Sequence, residues 1–267
     1  MLRCEAPVHR PKTLADALAM RADMPDATVI AGGTDVMVYL ESGSLSPSRL
    51  IDIWGVPGLR WVADDGHHYG AGATWTDLVK NPNVPAVVRE AALTVGAWQI
   101  QNRGTVGGNI ANASPAGDSL PVWLALDAEF ELASVGGSRR VPAALYWHAY
   151  KRTELRGNEL IVAVHLPAVS GSTHFRKVGT RMAQSISKVV FCGRFVRGVE
   201  ARIAFGSVGP TPSRLPEVEA ALVKHGPCWD VAVLARAAVR PIDDVRSSAS
   251  YRSRVVSQVL DAWFATL

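Results

Sequence analysis

Residues 101–132 read QNRGTVGGNIANASPAGDSLPVWLALDAEFEL. Their first half, Gly104 to Asp118, holds four glycines, two asparagines, a threonine, a serine and an aspartate among fifteen residues, with almost no bulky side chains. A loop of that length inside a compact domain is a functional signal. Small residues remove obstruction, Asn, Thr and Ser supply neutral hydrogen bonds, and Asp118 can accept bonds from ribose or ring donors. The plainer reading is a surface loop. Val106 and Ile110 argue instead that the segment is packed. Ser119 to Leu126 continues as an apolar helix, and residues 130–133 and 139–141 form a hairpin around Gly136-Gly137.

Towards the N-terminus, helices are expected over Trp75 to Lys80 and Pro85 to Val95. A hairpin is expected from Trp61–Ala63 and His67–Ala71 around Asp64-Asp65-Gly66. His67 and His68 are adjacent in it and should point to opposite faces, so no metal role is assigned to them. A second glycine segment, Ala31-Gly32-Gly33-Thr34-Asp35, lies between a short strand (Ala27 to Ile30) and a helical stretch (Val36 to Glu41). Glycines let backbone N–H groups approach an anion, and the start of the following helix offers unpaired donors. Thr34 and Asp35 are also good cap residues. The combination suits a pyrophosphate; an ordinary strand-to-helix turn is the plainer alternative. With a helix opened by the capping pair Thr13 and Asp16 and a strand over Arg49 to Trp54, the first 55 or so residues make a small α/β unit.

Residues 159–166 read as a strand ending at Pro167, and Val169 to Ser172 as a linker. Beyond it come strand-like segments over residues 173–178, 187–192 and 199–208. Helices follow over 215–224, 229–239 and 247–266. Strands followed by helices are an α+β pattern. The expected division is 1–170, with subdomains of about 1–55 and 56–170, and 171–267.

The 267 residues are 48% apolar and 19% charged, with a net charge of +4 spread over scattered basic residues. No basic stripe with interleaved aromatics marks a nucleic-acid face. No apolar run is long enough for a membrane span, and no signal peptide is evident, so a cytoplasmic location is expected. Cys4, Cys192 and Cys228 are too few and too dispersed for a disulfide framework or an iron–sulfur run. There is no P-loop, no dinucleotide-binding GxGxxG, and no metalloprotease or serine-hydrolase motif.

Three segments, AGGTDVMVYL (31–40), GAGATWTDL (70–78) and above all residues 101–132, resemble the FAD-binding subunits of the molybdenum hydroxylases. That family includes the flavin subunits of xanthine, carbon monoxide, aldehyde and nicotinate dehydrogenases. YKRTELRGNELIVAVHLP (150–167), FRKVGTRMAQSISKVV (175–190), RIAFGSVGPTPSR (202–214) and PIDDVRSSASYRSRVV (241–256) extend the resemblance over essentially the whole chain. It implies an α+β architecture: the two-subdomain FAD-binding fold of vanillyl-alcohol-oxidase type, then an α+β C-terminal domain that closes over the flavin. In such proteins the first loop holds the pyrophosphate, here Ala31, Gly32, Gly33, Thr34 and Asp35. Thr105, Gly108, Asn109, Asn112, Ser114 and Asp118 match the second loop, which wraps the ribityl, pyrophosphate and adenosine portions. Ile161 matches a backbone contact to the cofactor, and Lys177 a lysine close to the isoalloxazine. A cation there would stabilise negative charge on the reduced flavin. Ser185 stands where many relatives carry an acid.

The implied cofactor is non-covalent FAD, with no general acid or base among these residues and no metal site. The implied role is electron transfer. Molybdenum cofactor and [2Fe–2S] clusters sit on partner large and small subunits. Electrons arrive singly through the clusters and leave through FAD, usually to NAD, or to another acceptor. The AGGTD and SISKV segments lean towards the xanthine-dehydrogenase-like branch. Two alternatives are a stand-alone FAD-dependent oxidase of a small molecule and a non-catalytic scaffold that has lost FAD.

Overall fold

The structure is a computed structural model that describes residues 5–267; Cys4 lies outside them. The chain opens with β1 (Val8–His9), α1 (Leu14–Asp23), β2 (Thr28–Ile30), α2 (Val36–Glu41) and β3 (Leu50–Asp52). The strands form a parallel sheet ordered β1-β3-β2, with β3 in the centre. Parallel pairing requires crossovers, which α1 and α2 supply. At the start of α1 the Thr13 hydroxyl accepts from the Asp16 amide, and the Asp16 carboxylate accepts from the Thr13 amide, as the spacing of the two residues predicts.

The second unit contains β4 (His68–Gly70), α3 (Trp75–Lys80), α4 (Ala86–Thr94), α5 (Trp98–Gln101), α6 (Val106–Asn112) and α7 (Leu120–Ala125). It continues with β5 (Glu129–Ser134), β6 (Gly137–Pro142), β7 (Trp147–Ala149), β8 (Arg152–Thr153) and β9 (Leu160–His165). Strands β4-β9-β5-β6 make an antiparallel sheet. The expected hairpin at 61–71 is only partly formed. Val62 and Tyr69 make one isolated bridge, and β4 spends its pairing on β9, nearly a hundred residues away. Long-range pairing overrides the local turn because β9 is a continuous apolar run that can be buried on both faces.

The third unit is an antiparallel sheet of β10 (Ser172–Val178), β11 (Val189–Val196), β12 (Glu200–Gly206) and β13 (Ser213–Arg214). It carries α8 (Pro216–His225), α9 (Trp229–Ala238) and α10 (Ala249–Phe264) on one face. Phe191, Phe205 and Trp263 pack together there, with ring centroids 5.0 and 5.3 Å from Phe191. The opposite face joins the largest core of the molecule. Cys192 and Ala204 are buried in the same cluster as Trp75, Trp123 and Ile110. Burial pushes the Cys192 thiol up from its ordinary range.

One carboxylate strengthens this junction. Asp127, just after α7, accepts hydrogen bonds from Arg194, Arg202 and Arg214 of the C-terminal sheet. It does so from a left-handed backbone conformation, φ +51°. Glu200 and Glu219 pair with the same arginines, so the cluster is neutral as a whole.

Candidate functional site: a cleft between two glycine segments

The first glycine segment leaves β2 and turns into α2. Gly32 lies against the backbone of residues 103–104, and a Cβ there would overlap the Arg103 carbonyl. Gly33 has φ +80°, a conformation that glycine adopts without cost. The backbone N–H groups of Gly32, Gly33, Thr34 and Asp35 donate to no protein acceptor among the described residues. Amides left without an acceptor in this way are what an anion-binding turn requires. The helix contributes less than expected, because α2 is six residues long. Asp35 occupies the cap position, yet its carboxylate caps nothing. It accepts instead from Asn112 Nδ2 at 2.9 Å.

The second segment is not the structureless loop that its composition suggests. Thr105 caps α6 by accepting from the Gly108 amide at 3.1 Å. Val106 and Ile110, both fully buried, anchor the helix in the core. Gly, Gly and Asn are poor helix formers, so here tertiary packing decides. Gly107 shows why: a Cβ would lie 2.6 Å from that of Ala71, and its amide donates to the Ala71 carbonyl. Only glycine lets α6 come this close to the strand edge. Ala113 ends the helix in a left-handed conformation, which turns Ser114 to Asp118 back along the cleft.

Asn112 joins the two segments. Its amide donates to Asp35 while its carbonyl accepts from the Tyr39 hydroxyl at 2.9 Å. Burial pushes the Asp35 carboxyl up, and the charge of Lys151 opposes that shift. Asn109 accepts from Ser119, whose oxygen in turn accepts from Trp123 Nε1.

Asp118 ends the segment, buried. Its carboxylate accepts from Lys177 Nζ at 2.6 Å and from Ser187 Oγ at 2.5 Å. Burial raises its pKa, while Lys177 and Ser187 pull it back down. The ammonium of Lys177 also donates to the Thr94 carbonyl.

Between the segments lies a cavity of about 1360 Å³. Pockets for drug-sized ligands measure roughly 300–1,000 Å³, so a dinucleotide-sized molecule has room. Of the residues singled out from sequence, Ala31 to Asp35, Thr105, Gly108, Asn109, Asn112, Ser114, Asp118 and Ile161 all line it. Lys177 does not: it stands behind Asp118, and its charge is met there. Ile161 reaches the cavity from β9, beside a β-bulge between Glu131 and Leu132.

Sequence reasoning missed Trp54, Tyr39, Lys151 and the C-terminal wall at Ser187, Ser207 and Arg246. Trp54 carries the Arg103 guanidinium 3.8 Å from its ring centroid. These residues come from separate segments with no local signature, so only the fold brings them together. His67 and His68 point apart, and His68 Nδ1 meets His165 Nδ1 at 3.1 Å away from the cleft. Among the described residues, no group of three or more His, Cys, Asp or Glu is arranged to hold a metal ion. Among the same residues, no helix is long and apolar enough to cross a membrane.

The composition of the cleft fits FAD: unpartnered backbone amides for phosphate, neutral side-chain donors, and an apolar floor that includes Ile161, Leu160 and Val95. The comparisons agree with this fit. The family described as the FAD binding domain in molybdopterin dehydrogenase matches residues 3–169, and the CO dehydrogenase flavoprotein C-terminal domain matches residues 174–267. The chain is 35% identical over 230 residues to the xanthine dehydrogenase FAD-binding subunit of Escherichia coli O157:H7, covering 80% of this chain and 78% of that one. It is 30% identical over 269 residues to the carbon monoxide dehydrogenase medium chain of Hydrogenophaga pseudoflava, covering 94% and 93%. The solved carbon monoxide dehydrogenase from H. pseudoflava that lacks the Mo-pyranopterin moiety superposes with a TM-score of 0.90 at 29% identity, over 98% of this chain and 96% of that one. The chain belongs to the FAD-binding subunits of the molybdenum hydroxylases, and is an oxidoreductase flavoprotein of two α+β parts.

Proposed function

We propose that this chain is the electron relay of a xanthine-dehydrogenase-like complex. In it the chain takes electrons from [2Fe–2S] clusters on a small subunit, fed by a molybdenum-cofactor large subunit, and delivers them to NAD or another acceptor. The observation that carries this reading is the cleft itself, a dinucleotide-sized cavity between two glycine segments in a chain of this family. Bound FAD supplies the exchange between single-electron and hydride transfer.

The residues of the chain bind and orient. The amides of Gly32 to Asp35 receive the pyrophosphate. Thr105, Gly108, Asn109, Asn112 and Ser114 line the ribityl and adenosine path, and Ile161 offers backbone and apolar contact. Asp118, held by Lys177 and Ser187, presents a fixed carboxylate to the cofactor's donors. Lys177 thus acts through Asp118 as a positioning residue. The sequence carries three cysteines, fewer than the four thiolates of an ordinary [2Fe–2S] site, which supports placing the clusters on a partner.

The test is purification with the companion chains, followed by FAD titration and reduction. The expected result is one tightly bound FAD, bleached by a hydroxylatable heterocycle only when the partners are present. Bleaching by substrate without any partner would establish a stand-alone oxidase. Absence of FAD affinity in the assembled complex would establish a scaffold.

A further inference from the structure

Lys151 sits at the turn between β7 and β8, a third chain segment beside the two glycine segments, and lines the same cavity. Its Nζ lies 3.1 Å from the Tyr39 hydroxyl and 4.4 Å from the centroid of that ring. The hydrogen bonds continue in one direction. Lys151 donates to Tyr39, Tyr39 donates to Asn112, and Asn112 donates to Asp35. A cation thus stands at one end and a carboxylate at the other, with every intervening dipole aligned, an arrangement in which each bond polarises the next.

The other cations of the cleft wall are already engaged. Arg60 is paired with Asp77, and Arg246 and Arg252 share Asp244. Arg21 donates to the Ala27 carbonyl. Lys151 makes no ion pair among the described residues; its partner, a phenol, is neutral. Its backbone is left-handed, φ +53°, an unusual conformation for a lysine. Asp35 adds the complementary observation. A carboxylate placed beside unpartnered amides would repel an incoming anion unless a nearby positive charge offset it.

We propose that Lys151 is the cation that neutralises the pyrophosphate of the dinucleotide in this cleft. The inference deepens the FAD assignment of the cleft and rests on it. The ammonium acts as a mobile point charge, which suits phosphate without demanding bidentate geometry. Tyr39 aims it, and the chain through Asn112 to Asp35 couples its position to both glycine segments.

The experiment titrates the full chain with FAD, ADP and riboflavin, following fluorescence at two salt concentrations. ADP carries the pyrophosphate without the flavin, and riboflavin the flavin without phosphate. Lys151→Met is expected to weaken FAD and ADP by roughly 10-fold, the value of one charge-assisted contact. It should leave riboflavin unchanged and flatten the salt dependence of FAD binding. Lys151→Arg should restore most of the loss, and Tyr39→Phe should fall between the two, since it keeps the charge and removes its guide. FAD and ADP affinities in Lys151→Met equal to those of the wild type would overturn the proposal. So would an equal loss for riboflavin, which would mark a structural role. A wild-type chain that bound none of the three even when assembled with its partner subunits would instead bring down the FAD assignment, and this inference with it.

Discussion

Lys177 Nζ meets Asp118 Oδ2 at 2.6 Å, although 59 positions separate them in sequence, and both side chains are more than nine-tenths buried. The pair binds the end of the second glycine segment to the first strand of the C-terminal sheet. Removing one partner of a buried ion pair leaves an uncompensated charge and costs about 3–5 kcal/mol. Lys177→Met is therefore expected to lose stability of that order at neutral pH.

The loss should depend on pH in a definite direction. Burial raises the Asp118 pKa in the fold above its ordinary value of 3.8, so the folded chain holds the proton more tightly than the unfolded one. Stability then falls as pH climbs from the ordinary carboxylate range through the folded value. Lys177 restrains this shift, so its removal widens the window. Urea unfolding should show Lys177→Met recovering towards wild type under acidic conditions. A deficit that stays constant across pH would rule out this account.

Gly32 and Gly33 should respond differently to alanine. At Gly32 the new Cβ would meet the Arg103 carbonyl, which is backbone and cannot rotate aside. At Gly33 the nearest atoms are Met37 Cγ and Ile30 Cδ1, in ordinary contact at 3.5 and 3.7 Å, and the cost is the left-handed backbone alone, about 1–2 kcal/mol. Gly32→Ala should lose FAD affinity and stability together, and more of both than Gly33→Ala. Paired denaturation and FAD titrations of the two variants check the order.

Asp127→Asn isolates the charge at the arginine cluster, because Asn also tolerates the left-handed conformation that Asp127 adopts. Arg194 would keep Glu200 at 3.2 Å, and Arg214 would keep Glu219 at 2.6 Å. The expected cost is about 1–3 kcal/mol, the range for hydrogen bonds to charged groups. Thermal unfolding that left Asp127→Asn indistinguishable from wild type would show the glutamates to be sufficient.

Thiol labelling offers a direct check on the C-terminal core. Cys192 is fully buried with its pKa raised, whereas Cys228 is partly exposed. The thiolate is the reactive form, so native protein should be modified at Cys228 while Cys192 waits for unfolding. Mass spectrometry of time-resolved alkylation resolves the two sites.

Much of this was legible in the residues. Thr13 with Asp16 marked a helix start, the apolar run before Pro167 marked β9, and glycine pairs marked both walls of the cleft. What escaped has a common physical origin. Residues 104–118 look unstructured because their helix propensity is poor, and the helix there exists because Val106 and Ile110 are buried and Gly107 fits against Ala71. Tyr39, Asn112 and Lys151 form one chain of hydrogen bonds out of three segments. The contact of Lys177 with Asp118 depends on the packing of β10 against α4, which no local pattern records. Local patterns reveal elements and caps; they do not reveal which side chain intercepts another's charge.

Cys192 and Ala204, on β11 and β12, share one core with Trp75 and Trp123, beneath the cleft. The C-terminal sheet is therefore no hinged cover. Lifting it to admit a ligand would expose that core to water and strip Asp127 from its arginines. The flavin must then thread in through the mouth of the cleft or be captured while the chain is still folding around it. The second route would make exchange slow once the fold has closed, and the protein's lifetime as a flavoprotein would then be a matter of kinetics more than of equilibrium affinity.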